Sequence, residues 1–292
     1  HRVARWLRSR HIDAVAYTGQ TDSEERLVIE GELSRNERKV VVATSALGMG
    51  YDKPDLAFVV HFQSPGSPIA YYQQIGRAGR ALDRAEVVLL RGHEDRDIQD
   101  WFISTAFPEQ ADAEAVLAFL EGRDEPVGIG LIEAKVNVRR SRLLAMLKIL
   151  EVEGAVGRER ASWYRTASSW TYPTERIERI TAQRRQEQKA MDDYGSTSTC
   201  LMVHLLAQLD DHDVEPCGRC GTCAPRPLKG LDPRSVANAV DFLRSQPVVI
   251  PPRLQWPAGS DQFRGKTGID EQVSEGRALC LWGDAGWGRL VR

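Results

Sequence analysis

An α/β fold on parallel strands, followed by smaller helical modules, is predicted for this chain by three observations. Over residues 1–97 short β-prone apolar runs alternate with amphipathic stretches, as strands alternate with crossover helices. From residue 112 the apolar positions recur at helical spacing instead. Three of the five cysteines then fall between Cys217 and Cys223, a clustering that suits a metal better than a disulfide framework. A length of 292 residues agrees with two domains and a third small module at about 150 residues per domain. The boundaries are expected at 1–110, 111–172, 173–230 and 231–292, the last a linker toward a further domain.

The chain opens inside a helix carrying Val3, Trp6 and Leu7, and on His1 rather than Met, so a fragment whose first strand is missing is expected. Strands are predicted at 12–18, 39–44, 57–62 and 86–90. Thr21 with Glu24 three residues later has the pattern of a capping box and opens a helix carrying Leu27, Ile29 and Leu33. Ser67 and Pro68 start the next helix, through Tyr71, Tyr72 and Gln73. Three helical segments follow: one with Val116, Phe119 and Leu120, one over 129–138, and one with Leu143, Leu144, Leu147 and Leu150. Beyond Gly154, β-prone residues 155–156 and 163–164 flank Gly157, Arg158, Glu159 and Arg160, and helices followed by such a charged hairpin make a winged-helix-like module. A connecting helix is expected over 174–194, with Ile177, Ile180 and Met191 on a sparse stripe, and another over 235–244. The turn-rich stretch 282–288 approaches the further domain, and no internal repeat is present.

Basic and acidic residues number 39 and 41, a formal net charge of −2, so a polycation is excluded and any nucleic-acid surface is local. No run approaches the roughly 18 consecutive apolar residues of a membrane span, and no basic-then-apolar leader opens the chain. A cytoplasmic protein in a reducing compartment is expected.

Two runs carry the chemistry. The first, from Val40 to Pro54, is a buried strand ending in Thr44 and Ser45, then a loop with Gly48, Gly50 and Asp52. Ligands of open α/β sheets bind at the carboxyl ends of strands, so hydroxyls, glycines and a carboxylate there point to a phosphate or nucleotide. The second, Tyr71 to Arg80, sets Arg77 and Arg80 three residues apart near a helix end, separated by small residues. Guanidinium forks match phosphate oxygens, and an arginine brought to a transferring γ-phosphate stabilises its transition state. A solvated helix end with dipole-favoured arginines accounts for either run alone far better than for both in this order.

These runs, with Tyr17-Thr-Gly19 before them and Val59-Val-His-Phe62 between, resemble the second RecA-like lobe of a superfamily 2 helicase, specifically of the RecQ family, across residues 1–97. The resemblance implies that Arg77 and Arg80 reach ATP across an interlobe cleft, with Arg80 as arginine finger. It implies further that Gln73 senses nucleotide or couples it to DNA, that Gly50 and Asp52 lie at the nucleotide, and that Thr44 and Ser45 touch the DNA backbone. ATP with Mg²⁺ would be shared with a first lobe. Neither a Gly-x-x-x-x-Gly-Lys-Ser/Thr run nor an acidic Mg²⁺ box occurs here, so this chain alone is not expected to hydrolyse ATP.

Cys200, Cys217, Cys220 and Cys223 supply four thiolates, the set of a structural zinc site, with Gly218 and Gly221 for tight turns. His204 competes for the fourth position, and free redox thiols are the other alternative. The spacing is also similar to the RecQ zinc-binding module. Cys280 reads as an ordinary buried thiol. Over residues 123–170 nine basic residues face six acidic ones. Arg139, Arg140 and Arg142 at the third helix, with Arg158 and Arg160 on the wing, are the candidate phosphate contacts, beside Arg165. Trp163 and Tyr164 either stack on a frayed base or belong to the small core.

Here the winged-helix candidate precedes Cys200, whereas in typical RecQ helicases it follows the zinc module. The order resembles a RecQ-like subgroup with a downstream phosphoribosyltransferase-like domain. The expectation is the C-terminal part of an ATP-dependent DNA helicase, acting as a monomer on single-stranded and forked DNA in the bacterial cytoplasm, in repair or recombination. Polarity of 3′ to 5′ comes from the resemblance only. Another superfamily 2 nucleic-acid ATPase or translocase, or a non-catalytic DNA-binding fragment, are the alternatives.

Overall fold

The computed structural model describes residues 1–47, 51–226, 230–245, 248–256 and 265–278. In chain order its elements are α1 (Arg2–Ser9), β1 (Ala14–Tyr17), α2 (Ser23–Ser34), β2 (Val40–Ala43), β3 (Phe58–His61), α3 (Pro68–Ile75), β4 (Glu86–Leu89), α4 (Glu94–Ser104), α5 (Gln110–Glu121), β5 (Val127–Gly128), α6 (Ile129–Val136), α7 (Arg140–Val152), β6 (Val156–Glu159), β7 (Ser162–Arg165), α8 (Thr174–Ser196), α9 (Leu201–Ala207) and α10 (Pro233–Arg244). They form two compact units, one built on His1–Asp95 and Glu187–Val248, the other on Arg96–Gln186 with Val249–Gly276. No helix among the described residues is long and apolar enough to cross a membrane.

In the first unit all four predicted strands form, and they pair in parallel. β1 lies beside β2 with Ala14 opposite Val40, and β3 beside β4 with Phe58 opposite Glu86. The single sheet expected from the alternation is present as two separate ladders among the described residues.

The α2 start differs from expectation by one residue. Asp22 is the N-cap, its carboxylate accepting the Glu24 N–H at 2.9 Å, while Thr21 Oγ1 accepts the Thr18 N–H at 2.9 Å and closes the preceding turn. Thr21 is therefore spent on the turn, and an ionised Asp next to the helix dipole does the capping. Ile29 and Leu33, four apart, are buried, whereas Leu27 is 71% exposed because two residues turn it about 200° away. α3 starts as predicted, with Ser67 Oγ accepting the Ala70 N–H at 3.2 Å and Pro68 in the first turn.

The second unit packs α5, α6 and α7 against an antiparallel sheet of order β5-β7-β6. Leu120, Ile132, Leu143, Met146, Leu147 and Leu150 fill its core, each such side chain contributing about 1.5–3 kcal/mol of burial. Asn137 ends α6 in the left-handed region (φ 52°), a conformation Asn tolerates. β6 and β7 meet through Arg160 and Ala161 alone, Glu159 pairing with Ser162. The turn holds Arg160 at φ 53°, where Gly or Asn is preferred. Trp163 is 3% exposed inside this core. Its reading as a base-stacking wedge is thereby corrected, because that face of the hairpin, with Val127 beside Trp163 on β5, belongs to the core shared with α5, α6 and α7. Tyr164 lies on the other face, its ring across Gly157, where any Cβ would collide with it.

Candidate functional site

β2 delivers Thr44 and Ser45 to solvent at its carboxyl end. Gly48 and Gly50 lie outside the described residues. The chain beyond them, residues 51–56, is held from two sides. Lys53, buried, donates through Nζ to Asn36 Oδ1 at 2.7 Å and to Asp55 Oδ1 at 2.5 Å. Bonds from Lys53 and Asn36 keep the Asp55 carboxyl below the usual range. From the other side the turn after α3 docks on the same loop, Gly79 N–H donating to Leu56 O at 2.9 Å and Ala81 N–H to Pro54 O at 2.8 Å. Gly79 sits at φ 70°, and a Cβ on it would come 2.9 Å from Ala85 Cβ, so no other residue fits there without strain.

This docking brings the two sequence runs together and places both arginines. Arg77 Nη1 donates to Tyr51 O, and Arg80 Nη1 to Asp52 Oδ1 at 2.6 Å, with Arg80 Nε on Gly76 O at 3.1 Å. Arg80 and Asp52 are both substantially open to solvent. Exposed pairs of this kind contribute about 0–1 kcal/mol, so an arriving polyanion can take Arg80 from Asp52 at small cost. Gln73 is exposed one turn before Arg77.

The buried side of α3 was not foreseen. Tyr71, 2% exposed, packs edge-on against His61 of β3 with ring centres 5.0 Å apart, and against Tyr194 of α8 at 5.1 Å. His61 Nε2 lies 2.6 Å from Gln74 Oε1, and burial pushes the imidazole pKa down, only partly offset by that bond. The sequence signal was there: Tyr71 and Ile75, four apart, face the same way as Gln74 turns inward. Nearby, Arg91 after β4 pairs with Asp192 at 2.6 Å and lies across Gly195 so closely that a Cβ there would enter its guanidinium.

The four predicted cysteine sulfurs converge, all within 4.8 Å of one another. Cys200 is the N-cap of α9 and accepts the Cys217 N–H at 3.3 Å, while Cys220 accepts the Leu201 N–H at 3.4 Å. Gly218, at φ 68°, makes the knuckle turn. Burial pushes the Cys220 thiol up, but Thr222 and the N–H groups of Cys223 and Leu201 outweigh it and bring it down to about 5. Sulfurs held tetrahedrally at about 2.3 Å from a zinc-sized ion stand roughly 3.8 Å apart, so the four thiols fit such an ion. Cys200 and Cys220 are already at 3.9 Å. His204 is not among them: its ring turns to Tyr194, with centres 6.0 Å apart, which removes it as the competing ligand. Cys280 lies outside the described residues, as does the 282–288 stretch.

In the second unit the predicted basic residues divide. Arg139, Arg140, Arg158 and Arg160 are exposed. Arg142 is tied to Glu109 at 3.0 Å, and Arg140 more loosely to Glu133 at 3.5 Å. Arg158 lies over the Trp163 ring at 5.5 Å. Arg165 is structural, donating to Ala155 O and Ser168 O.

Residues 1–82 match the family described as helicase conserved C-terminal domain. The chain is similar to the probable ATP-dependent DNA helicase RecS of Bacillus subtilis, 39% identical over 42% of this chain and 27% of that protein. It is similar to the ATP-dependent DNA helicase RecQ of a Synechocystis strain, 29% identical over 76% of this chain and 46% of that protein. Among solved structures, the E. coli DEAD-box protein SrmB aligns with 32% of this chain and 56% of its own, at 30% identity and a TM-score of 0.30. The chain thus spans less than half the length of the curated relatives it matches.

Proposed function

We propose, on the premise that this chain is the C-terminal region of a RecQ-family superfamily 2 helicase, that it supplies the arginine half of an ATP site in a protein that moves on DNA. The observation that carries this reading is the joint placement of Arg77 and Arg80 by the 51–56 loop, within a segment matching the helicase domain. Arg80 leaves Asp52 for the γ-phosphate of a nucleotide held by a first lobe, and Arg77, retained by Tyr51 O, sets its direction. Asp52, freed, faces the nucleotide near its ribose. Mg²⁺ neutralises phosphate charge when bound. In the same closure on ATP, Thr44 and Ser45 at the end of β2 bring their hydroxyls against the DNA backbone, and Gln73 reports occupancy to them. The preferred strand is single-stranded or forked DNA, with 3′-to-5′ movement and duplex unwinding in the whole protein, in bacterial repair or recombination.

Cys200, Cys217, Cys220 and Cys223 would hold zinc, and four protein ligands would make it a structural brace with no open position for catalysis. The α5-to-β7 unit acts as a winged helix, its exposed Arg139, Arg140, Arg158 and Arg160 holding duplex phosphates without reading sequence. The deciding experiment is ATP hydrolysis by the whole protein with and without single-stranded DNA. Strong stimulation supports a motor, whereas no turnover in either condition sinks it.

A further inference from the structure

We infer that Tyr194 is a positioning residue for Arg77 and Arg80: through the Tyr71 ring it ties the helix that presents them to the four-cysteine knot. This deepens the function proposed above and rests on it for its catalytic consequence.

The first unit contains a small core in which α3, the end of α8 and α9 meet, built of Tyr71, Met191, Tyr194 and Leu205 with Ile75, Leu89 and Leu201 around them. Its axis is a run of four rings: His61, Tyr71, Tyr194 and His204, with successive centres 5.0, 5.1 and 6.0 Å apart. The Tyr194 hydroxyl also reaches the Tyr71 hydroxyl, at 3.4 Å. That distance is at the long limit for such a bond, so ring packing rather than the hydroxyl carries the contact. Tyr71 and Tyr194 are 2% and 7% exposed, so neither ring has space to swing.

Toward one end of this run α3 stops at Ile75, and Arg77 and Arg80 follow in the turn directly after it. At the other, α9 carries both His204 and Leu201 and is capped by Cys200, whose sulfur belongs to the knot. A shift of Cys200 therefore moves α9, and α9 bears on Tyr194. Aromatic packing has two-sided shape demands that aliphatic packing lacks, so a side chain of similar bulk without a ring loosens α3 while still filling the core. The Gly79 and Ala81 N–H groups hold the turn itself on the 51–56 loop, and the Tyr194 contact adds a second anchor, on the helix that precedes the arginines.

The test compares Tyr194→Phe and Tyr194→Leu. On this chain, amide hydrogen exchange of residues 68–80 is read with added Zn²⁺ and after a chelator. In the wild type and in Tyr194→Phe, chelation should speed exchange of α3 several-fold. In Tyr194→Leu, α3 should exchange fast even with Zn²⁺, and the chelator should add less than about twofold, while β1 and β2 stay protected. An α3 indifferent to chelation in the wild type, an equal chelator effect in Tyr194→Leu, or simultaneous loss of β1 and β2 protection overturns the inference. In the whole protein, kcat for ATP should fall about tenfold in Tyr194→Leu with KM within about twofold, and Tyr194→Phe should restore it. A whole protein that hydrolyses no ATP defeats the motor reading alone, because the exchange result still decides whether Tyr194 couples the knot to α3.

Discussion

Arg80 holds Asp52 at 2.6 Å across 28 positions of sequence, and both side chains face solvent. The pair holds a guanidinium at the surface by a contact that is cheap to release. Arg80→Ala in the whole protein should lower ATP turnover by about 10³-fold or more. DNA affinity, followed by fluorescence anisotropy, should change little. Arg80→Lys should recover only a small part, because an ammonium lacks the planar fork. A fully active Arg80→Ala protein rules out the finger.

Gly195 is required by a neighbour distant in sequence. Gly195→Ala places a methyl where the Arg91 guanidinium lies and breaks its bond to Asp192. Because Arg91 is a flexible, partly exposed side chain, the cost should be modest, about 0.5–1.5 kcal/mol in urea unfolding. Adding Arg91→Ala should erase most of the difference between Gly and Ala at 195, and additive losses would show that the two do not share a contact.

The hairpin of the second unit separates stability from binding. Trp163→Ala should cost about 3–5 kcal/mol by emptying a core site. Arg160→Gly should instead stabilise by up to about 1 kcal/mol, since it removes a side chain held at φ 53°. If Arg160 touches a phosphate, the same substitution lowers the slope of log affinity for DNA against log salt by about 1. An unchanged slope takes Arg160 off the DNA surface.

The knot should bind about one zinc ion per chain, released by chelators, and Co²⁺ in its place should show intense thiolate charge-transfer absorption. Cys217→Ser should abolish stoichiometric binding, whereas His204→Ala should leave the cobalt spectrum intact. A spectrum that shifts in His204→Ala would return the histidine to the ligand set.

His61 makes part of the stability pH-dependent. Burial holds its pKa below the unfolded value, so the unfolded chain takes up the proton first. Stability is therefore complete above the ordinary imidazole range near 6.5 and falls as pH drops through it. The knot also loses metal in acid, so the comparison is with His61→Gln: the urea midpoint of the wild type should fall more between about pH 7.5 and about pH 5.5 than that of the variant. Parallel falls would mean that His61 does not sense the change.

Local chemistry made much of this legible in advance. Short apolar runs between amphipathic stretches announced β1 to β4, Ser67 before Pro68 announced α3, and the cysteine spacing announced the knot, because each signal is contained in a few neighbouring residues. Thr21 misled because Asp22 beside it offered a stronger cap, and a turn had prior use for the threonine hydroxyl. Trp163 and Arg165 were ambiguous for another reason: alternation assigns faces along a strand, but it does not say which face the helices will cover or which side chain a distant carbonyl will claim. Tyr194 lies 123 residues from Tyr71 and Gly195 more than 100 from Arg91, and periodicity carries no information about partners at that range.

Lys53 has a practical consequence for protein engineering. Its ammonium is buried and answered by Asn36 and Asp55, one of which lies outside the loop it holds. Residues 51–56 are thus no portable cassette. Transplanted into a lobe lacking an amide at the equivalent of Asn36, they carry in a buried cation with half its partners, and the recipient must either admit water to the graft or distort the arm on which Asp52 is mounted.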